Sequence, residues 1–179
     1  MPLASPLTID DFERLPDALA LNHELVDGKL VDVSGNTLGH NRLRDYLISL
    51  LCEYVKKNGL GEVISEQEFD FGGNVHGPDI SFFGPQKTAL TEDRRRVQRF
   101  VPDLAIEIVS ENDTFKKLVY KADRYRKCGT REAWIIDIDS RRAFLFSDHR
   151  NAILGDDDQF VSALIPGFSI RIGDLFDRR

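Results

Sequence analysis

The chain has 179 residues, of which 41% are hydrophobic and 30% charged, and its formal net charge is −6. This length suits one compact domain, and the composition excludes a disordered or fibrous chain. The acidic balance does not indicate a basic nucleic-acid-binding domain, so contact with nucleic acid would need a local basic patch. The apolar runs are too short to span a bilayer, the N-terminus lacks the pattern of a signal peptide, and there are only two cysteines. We therefore expect a cytoplasmic protein with reduced thiols and no membrane association.

The first third of the chain predicts a short helix, a hairpin and a long helix. Residues 9–15 form the short helix, which a capping-box-like pattern opens. Asp27-Gly28 lies between two β-rich segments, which is a strong hairpin signal. Residues 40–58 form the longest helix, because their apolar side chains recur at the spacing of one buried face. Gly59 ends this helix.

The middle of the chain predicts short strands and an irregular segment. Residues 62–71 alternate apolar and acidic side chains, as in one half-exposed antiparallel strand. Residues 77–83 form a second short strand that Pro78 opens. Residues 84–99 are the least regular part. Their basic run, Arg94-Arg95-Arg96, is typical of a solvated face or a mobile loop, although it could also contact a phosphate backbone.

The stretch from residue 101 to residue 138 predicts a strand, a helix and a strand. The first strand, residues 101–109, is apolar apart from its acids, and the helix covers residues 114–127 with Asn112 or Asp113 as its N-cap. Strands near residues 143–147 and 160–164 follow, and residues 170–176 close the chain.

A carboxylate in the middle of the first of these strands is the main chemical signal. Glu107 is costly to bury without a partner, and Lys121 lies on or beside the apolar stripe of the next helix. Asp79 begins another strand, and carboxylates on paired strands about 4.8 Å apart can share one ion. Oxygen ligands suit Mg²⁺, and a cation can offset charge on a phosphate, so these three residues indicate metal-assisted phosphodiester hydrolysis.

Each candidate also has a structural interpretation. Asp79 could be a turn acid after proline, and Glu107 with Lys121 could be a structural ion pair. Asp103 competes for the metal role but could equally cap the entrance of its strand. Glu24, in the hairpin, could be a further ligand or orient a water, or it could be an ordinary exposed strand residue.

Other arrangements are weaker or absent. His40, at the start of the long helix, could meet a phosphate, but a capping or solvated histidine is favoured. The chain has no glycine-rich phosphate loop, no zinc-ligand spacing of cysteine and histidine, and no Gly-x-Ser-x-Gly motif.

Several segments together carry a family resemblance: LTIDDFERLPD, HELVDGKLVDV, GPDISFF, VPDLAIEIVS, KADRYRKCGTREAWIIDI and IPGFSIRIGDLF. Over nearly its whole length the chain resembles the Uma2 family of the PD-(D/E)XK nuclease superfamily. The resemblance implies an α/β (α+β) fold in which residues 1–179 form a single domain. A mixed β-sheet flanked by helices would form a restriction-endonuclease-like core.

The resemblance also implies a site and an activity. Asp79 would be the aspartate of the first motif and Glu107 the acid of the second, and together they would hold Mg²⁺ or Mn²⁺ with a backbone carbonyl near Ile108. The motif's lysine normally stands two residues after the acid, where this chain has Val109. Uma2-like sequences supply it from the following helix, which gives Lys121.

The implied activity is that of a metal-dependent endonuclease that hydrolyses DNA phosphodiester bonds. Lys121 would stabilise charge or help to activate the water, and Glu24 would assist. A homodimer is compatible with this activity, since double-strand cleavage often needs two active sites. The alternative is a catalytically silent relative that binds nucleic acid or a protein partner, which the acidic net charge and the displaced lysine favour.

Overall fold

Two β-sheets flanked by helices make up most of the structure, a computed structural model that describes residues 5–33, 35–110 and 113–177. The helices of these residues are α1 (Ile9–Glu13), α2 (Asp17–Ala20), α3 (Leu38–Asn58), α4 (Pro85–Thr88), α5 (Phe115–Lys127) and α6 (Ile172–Phe176). The strands are β1 (His23–Val26), β2 (Lys29–Asp32), β3 (Glu62–Ser65), β4 (Glu68–Asp70), β5 (Val75–His76), β6 (Ile80–Phe83), β7 (Val97–Gln98), β8 (Leu104–Ile108), β9 (Glu132–Asp137), β10 (Arg142–Ser147), β11 (Asn151–Leu154), β12 (Gln159–Val161) and β13 (Ser169–Arg171).

The larger sheet has the strand order β11-β10-β9-β8-β6-β3 and contains the main core. Strand β8 is buried along its whole length, antiparallel to β6 and parallel to β9. Neighbouring residues of a strand point to opposite faces. Ile106 and Trp134 accordingly share a cluster with the apolar face of α3, whereas Ala133 and Ile135 pack with α5. Helices α3 and α5 therefore cover opposite faces, and Glu107 points to the α5 side.

The smaller sheet has the order β2-β1-β5-β4-β7 and carries the hairpin that Asp27-Gly28 predicts. Both turn residues have positive φ, and a Cβ at Gly28 would lie 2.4 Å from the Cβ of Pro6, so only glycine fits here. Helix α1 packs beside this sheet through Ile9 and Phe12. The predicted capping box is confirmed, since the Thr8 and Asp11 side chains each accept a hydrogen bond from the other's backbone N–H.

The prediction of one strand over residues 62–71 is wrong. Glu66 has a φ of 54°, which breaks the strand, so β3 pairs with β6 in the larger sheet and β4 pairs with β5 in the smaller one. The chain crosses between the sheets a second time between β5 and β6. The two crossings lie side by side and are joined by a hydrogen bond, in which the Glu66 N–H of the first donates to the Pro78 carbonyl of the second at 3.1 Å. Asp79 lies in the second crossing.

The basic segment is also more ordered than its composition predicts. Arg96 makes a two-pronged ion pair with Glu68, at 2.6 and 2.7 Å, and lies 4.6 Å from the centre of the Phe12 ring. Arg99 pairs with Asp10 and Glu13, each at 2.7 Å. The prediction of a solvated or mobile run is therefore wrong for Arg96, whose partners come from distant segments.

Smaller predictions also needed correction. The long helix begins at Leu38, and Gly59 ends it in the left-handed conformation, as predicted. Thr114 caps α5 in place of Asp113, and Asn112 lies outside the described residues. Strand β11 was not predicted.

In the described part of the chain, no helix is both long and apolar enough to cross a membrane.

Candidate active site

A cleft of about 520 Å³ opens between the β1–β2 hairpin and α5, beside the two crossings between the sheets. It is lined by all four residues predicted for the site, and also by two histidines: Glu24, Asp79, Glu107, Lys121, His40 and His76. A wider depression of about 700 Å³ lies along Glu13 and residues 91–96 and contains none of these six. The cleft is therefore the candidate active site.

Glu107 is 6% exposed, and two side chains of α5 engage its carboxylate. The Lys121 ammonium lies 3.1 and 3.2 Å from its two oxygens, and the Tyr125 hydroxyl donates to Oε1 at 2.5 Å. Lys121 and Tyr125 are four residues apart, so one helical face delivers both donors. Phe71 stacks on the Tyr125 ring with the centroids 4.2 Å apart and holds it against the strand.

The same ammonium holds a second carboxylate from the other sheet. Lys121 Nζ lies 2.8 Å from Glu24 Oε1, and Glu24 is only 7% exposed, so an ordinary exposed strand residue is the wrong interpretation. His76 Nδ1 lies 2.8 Å from Glu24 Oε2, and the Gly77 N–H donates to Oε1 at 3.3 Å. Because a carboxylate oxygen only accepts, Nδ1 of His76 carries the hydrogen.

Asp79 lies beside Glu107 because of strand register. Strand β6 begins at Ile80, which pairs with Ile106 of β8, so Asp79, the residue just before β6, lies next to Glu107, the residue just after Ile106. Asp79 Oδ2 accepts from the Ile108 N–H at 2.7 Å, which ties this carboxylate to β8.

His40 holds the other oxygen of Asp79. Its Nε2 lies 3.2 Å from Asp79 Oδ1, and the histidine is 1% exposed. Thr37 caps α3 instead, since its hydroxyl accepts from the His40 N–H. The favoured interpretation of His40 as a capping or solvated residue is therefore wrong.

Asp103 does not join the cleft. Its carboxylate lies 2.8 Å from Lys87 Nζ and accepts from the Gly84 N–H at 2.9 Å. It caps the entrance of its strand, which was the structural alternative for this residue.

The two carboxylates around Lys121 have opposite pKa shifts. Burial raises the pKa of Glu107 to about 8, with help from the charges of Asp79 and Glu24, although Lys121 and the Tyr125 hydroxyl act to lower it. Burial also acts to raise the pKa of Glu24, but Lys121 and His76 outweigh it and lower the pKa to about 2. The protein therefore stabilises the charged form of Glu24, whereas burial works against the charge on Glu107.

Three of the groups that contact these carboxylates, Lys121, Tyr125 and His40, have raised pKa values, and the fourth, His76, has a lowered one. Burial acts to lower the pKa of Lys121, but Glu107 and Glu24 raise it well above its ordinary value. Burial and the Glu107 charge raise the pKa of Tyr125. Burial acts to lower the pKa of His40, but Asp79 raises it overall, whereas burial lowers that of His76 despite Glu24. The Lys121 amine is thus a fixed cation.

The donor set fits a hard, partly hydrated divalent ion better than a metal that needs nitrogen or sulfur. Asp79 and Glu107 are oxygen donors in the same cleft, and the Lys121 ammonium is shared by two carboxylates, those of Glu24 and Glu107, which leaves negative charge for a cation to offset. Within the described ranges, no three histidine, cysteine, aspartate or glutamate residues form a group that could hold a metal ion. Two carboxylates would therefore have to share the ion with water, as Mg²⁺ commonly does.

Comparison with known families identifies the chain. The sequence profile of Uma2, described as "Putative restriction endonuclease", matches residues 9–173. This chain belongs to the Uma2 family. A crystal structure described as "a putative nuclease belonging to DUF820 from Anabaena variabilis ATCC 29413" is 25% identical and superposes on this Uma2 chain with a TM-score of 0.85. The match covers 96% of this chain and 98% of the other.

Two further comparisons add nothing on function. A DrdV–DNA complex is 18% identical to this chain, with a TM-score of 0.41, over 74% of this chain and 10% of that one. No curated protein matches the chain. The family and the mixed α/β fold expected from the sequence segments are confirmed. The roles of Asp79, Glu107, Lys121 and Glu24 stay predictions, although the structure brings all four into one cleft.

Sequence reasoning missed His76 and Tyr125. Tyr125 stands four residues after Lys121, so the helical period could have placed it on the same face. His76 carries no such signal, because its partner Glu24 is 52 residues away in the chain.

Proposed function

We propose that this Uma2 protein is a metal-dependent endonuclease that hydrolyses the phosphodiester bonds of DNA. The observation that supports this most is the position of the Lys121 ammonium, 3.1 Å from a buried Glu107, while Asp79 accepts from the N–H of the next residue, Ile108. Two acids and a fixed cation on one side of a cleft are the groups that phosphodiester hydrolysis requires. The family description points to the same activity.

Asp79 and Glu107 would hold Mg²⁺ or Mn²⁺, with the backbone carbonyl near Ile108 as a third oxygen donor. Such an ion would supply Lewis-acid activation of a water and neutralise phosphate charge. The protein's own groups prepare the site: the His40 imidazole orients the Asp79 carboxylate, and the Tyr125 hydroxyl orients that of Glu107.

Lys121 stabilises charge in this proposal. Its raised pKa keeps the amine protonated, so it donates hydrogen bonds to developing negative charge and does not act as a base. Glu24 holds the ammonium from the other side and is itself held by His76. Glu24 therefore assists by positioning the cation.

The test is cleavage of plasmid DNA in Mg²⁺ or Mn²⁺ by the wild type and two variants. Asp79→Ala removes a proposed metal ligand and Lys121→Ala removes the cation, and we expect each to lower the rate by at least about a hundredfold. Lys127→Ala is the matched control, since Lys127 lies on the same helix, is largely exposed and does not line the cleft. Circular dichroism checks that each variant is folded. Undiminished cleavage by both folded variants would refute the assignment.

One observation favours a catalytically silent relative as the second candidate. Both oxygens of Asp79 and both oxygens of Glu107 already have partners within the protein. A structural network would look the same. Calorimetric titration with Mn²⁺ separates the two candidates, because the nuclease must bind the ion at Asp79 and Glu107 and lose that binding in Asp79→Ala.

A further inference from the structure

Exposed hydrophobic side chains gather at the mouth of the cleft. Leu21, Val31 and Val33 lie on the hairpin side and Tyr120 lies on α5, and all four line the cleft although they are 40% to 63% exposed. Apolar surface that stays exposed beside a cleft is typical of a surface that a ligand covers. The proposed chemistry does not use any of these four residues.

The charges of the cleft are divided unevenly. Lys117 and Arg124 lie about 10 Å apart along one face of α5, at i and i+7, and we call this face the cationic stripe. Lys121 lies between them, but Glu24 and Glu107 hold its ammonium. Among the described acids, Arg124 has only the exposed Asp27 nearby, at 3.4 Å. The lining as a whole has seven aspartates and glutamates against four lysines and arginines. Cations are therefore concentrated on α5, and the remaining lining is mainly acidic and apolar.

This distribution of charge favours a single strand, which has one sugar-phosphate backbone, over a duplex, which has two. A duplex carries phosphates on both strands, and its second strand would face the acidic part of the lining, which opposes binding. A single strand needs only the stripe on α5, and its unpaired bases can turn towards apolar side chains. Base stacking on an exposed aromatic ring is the usual way in which proteins bind single strands.

We infer that the cleft takes an unpaired strand of DNA, with its phosphates along α5 and a base against Tyr120 and the aliphatic side chains of the hairpin. The inference rests on the nuclease function proposed above and names its substrate class. The Lys116 ammonium, 5.8 Å from the centre of the Tyr120 ring, adds a cation beside the stacked nucleotide. A single active site is enough for such a substrate, so cleavage does not require a dimer.

The test is fluorescence anisotropy with a labelled single-stranded oligonucleotide and with the duplex of the same sequence, both in Ca²⁺. Gel electrophoresis checks that the probes stay intact. We expect the wild type to bind the single strand at least about tenfold more tightly than the duplex. Tyr120→Ala should weaken single-strand binding about tenfold, since it removes one stacking ring, and Tyr120→Phe should restore it.

Phe115→Ala is the matched control, because Phe115 is an exposed aromatic residue of the same helix that does not line the cleft. We expect this variant to bind both probes like the wild type. Duplex binding as tight as single-strand binding would overturn the inference. So would a loss in Tyr120→Ala no larger than that in Phe115→Ala.

Cleavage in Mn²⁺ separates this inference from the proposed function. If the duplex is cut and the single strand is not, the nuclease function holds and the unpaired substrate is wrong. If neither is cut but single-strand binding depends on Tyr120, the nuclease function is wrong and the strand-binding surface is supported.

Discussion

Glu24 and Glu107 come from different sheets, share one ammonium and end with opposite pKa shifts. Glu24, on the smaller sheet, receives His76 and the Gly77 N–H in addition to Lys121, and its pKa falls to about 2. Glu107, inside the larger sheet, is close enough to Asp79 to feel its charge, and burial raises its pKa to about 8. A shared cation therefore does not by itself set the pKa of a buried acid, because burial and the acid's other neighbours also shift that pKa.

Among the predicted changes, removing the Lys121 cation that both carboxylates share should lower the free energy of unfolding the most. Lys121→Met keeps the volume of the side chain but leaves both buried carboxylates without their ammonium. We expect the free energy of unfolding, measured in urea without added metal, to fall by about 3–5 kcal/mol. The surface control Lys127→Met should change it by less than about 0.5 kcal/mol. Adding Glu24→Gln to Lys121→Met should recover part of the loss, since one stranded charge is then removed. Equal effects of Lys121→Met and Lys127→Met would contradict an energetic role for the network.

The stability that Glu24 contributes should depend on pH in a defined way. The pKa of Glu24 is about 2 in the folded protein against an ordinary value of 4.5. The unfolded chain therefore binds a proton at Glu24 at higher pH than the folded protein does. The stability from Glu24 is fully present above pH 4.5 and is lost as the pH falls towards 2, by about 3 kcal/mol in all.

Urea unfolding of the wild type and Glu24→Gln across this pH window measures the effect. The difference in the free energy of unfolding between them should shrink as the pH falls, since Gln has no proton to bind. Asp123→Asn, at an exposed position of α5, controls for general acid effects. A difference that stays constant over the window would mean that Glu24 is not held as an anion by its neighbours.

Removing the Tyr125 hydroxyl, which donates to Glu107 and not to Glu24, should lower the free energy of unfolding by a smaller amount. Tyr125→Phe removes a hydrogen bond to a buried carboxylate, and we expect a loss of about 2 kcal/mol in the free energy of unfolding. The pKa of Glu107 should rise further, because the hydroxyl acts to lower it. Urea unfolding and an NMR titration of the Glu107 carboxyl measure the two effects. Tyr54→Phe is the control, since the Tyr54 hydroxyl donates to the neutral Pro166 carbonyl. A loss no greater than that of Tyr54→Phe would argue that Tyr125 does not hold Glu107.

The sequence by itself determined the local features of this Uma2 protein. The Asp27-Gly28 hairpin, the capping box at Thr8 and the helix end at Gly59 depend on residues within four positions of one another, so their patterns were sufficient. The sequence segments also identified the family. Glu107 was recognisable as unusual because an acid in an apolar strand needs a partner wherever that strand lies.

Only the tertiary structure decided how the site is assembled. Side-chain alternation across residues 62–71 could not show that the chain leaves one sheet for the other at Glu66. Nor could it show that His76 reaches Glu24 across 52 residues or that His40 reaches Asp79. Sequence patterns report which face of an element is buried, whereas the pairing of distant elements depends on register and packing over the whole chain. The cleft exists because those pairings bring both sheets to α5.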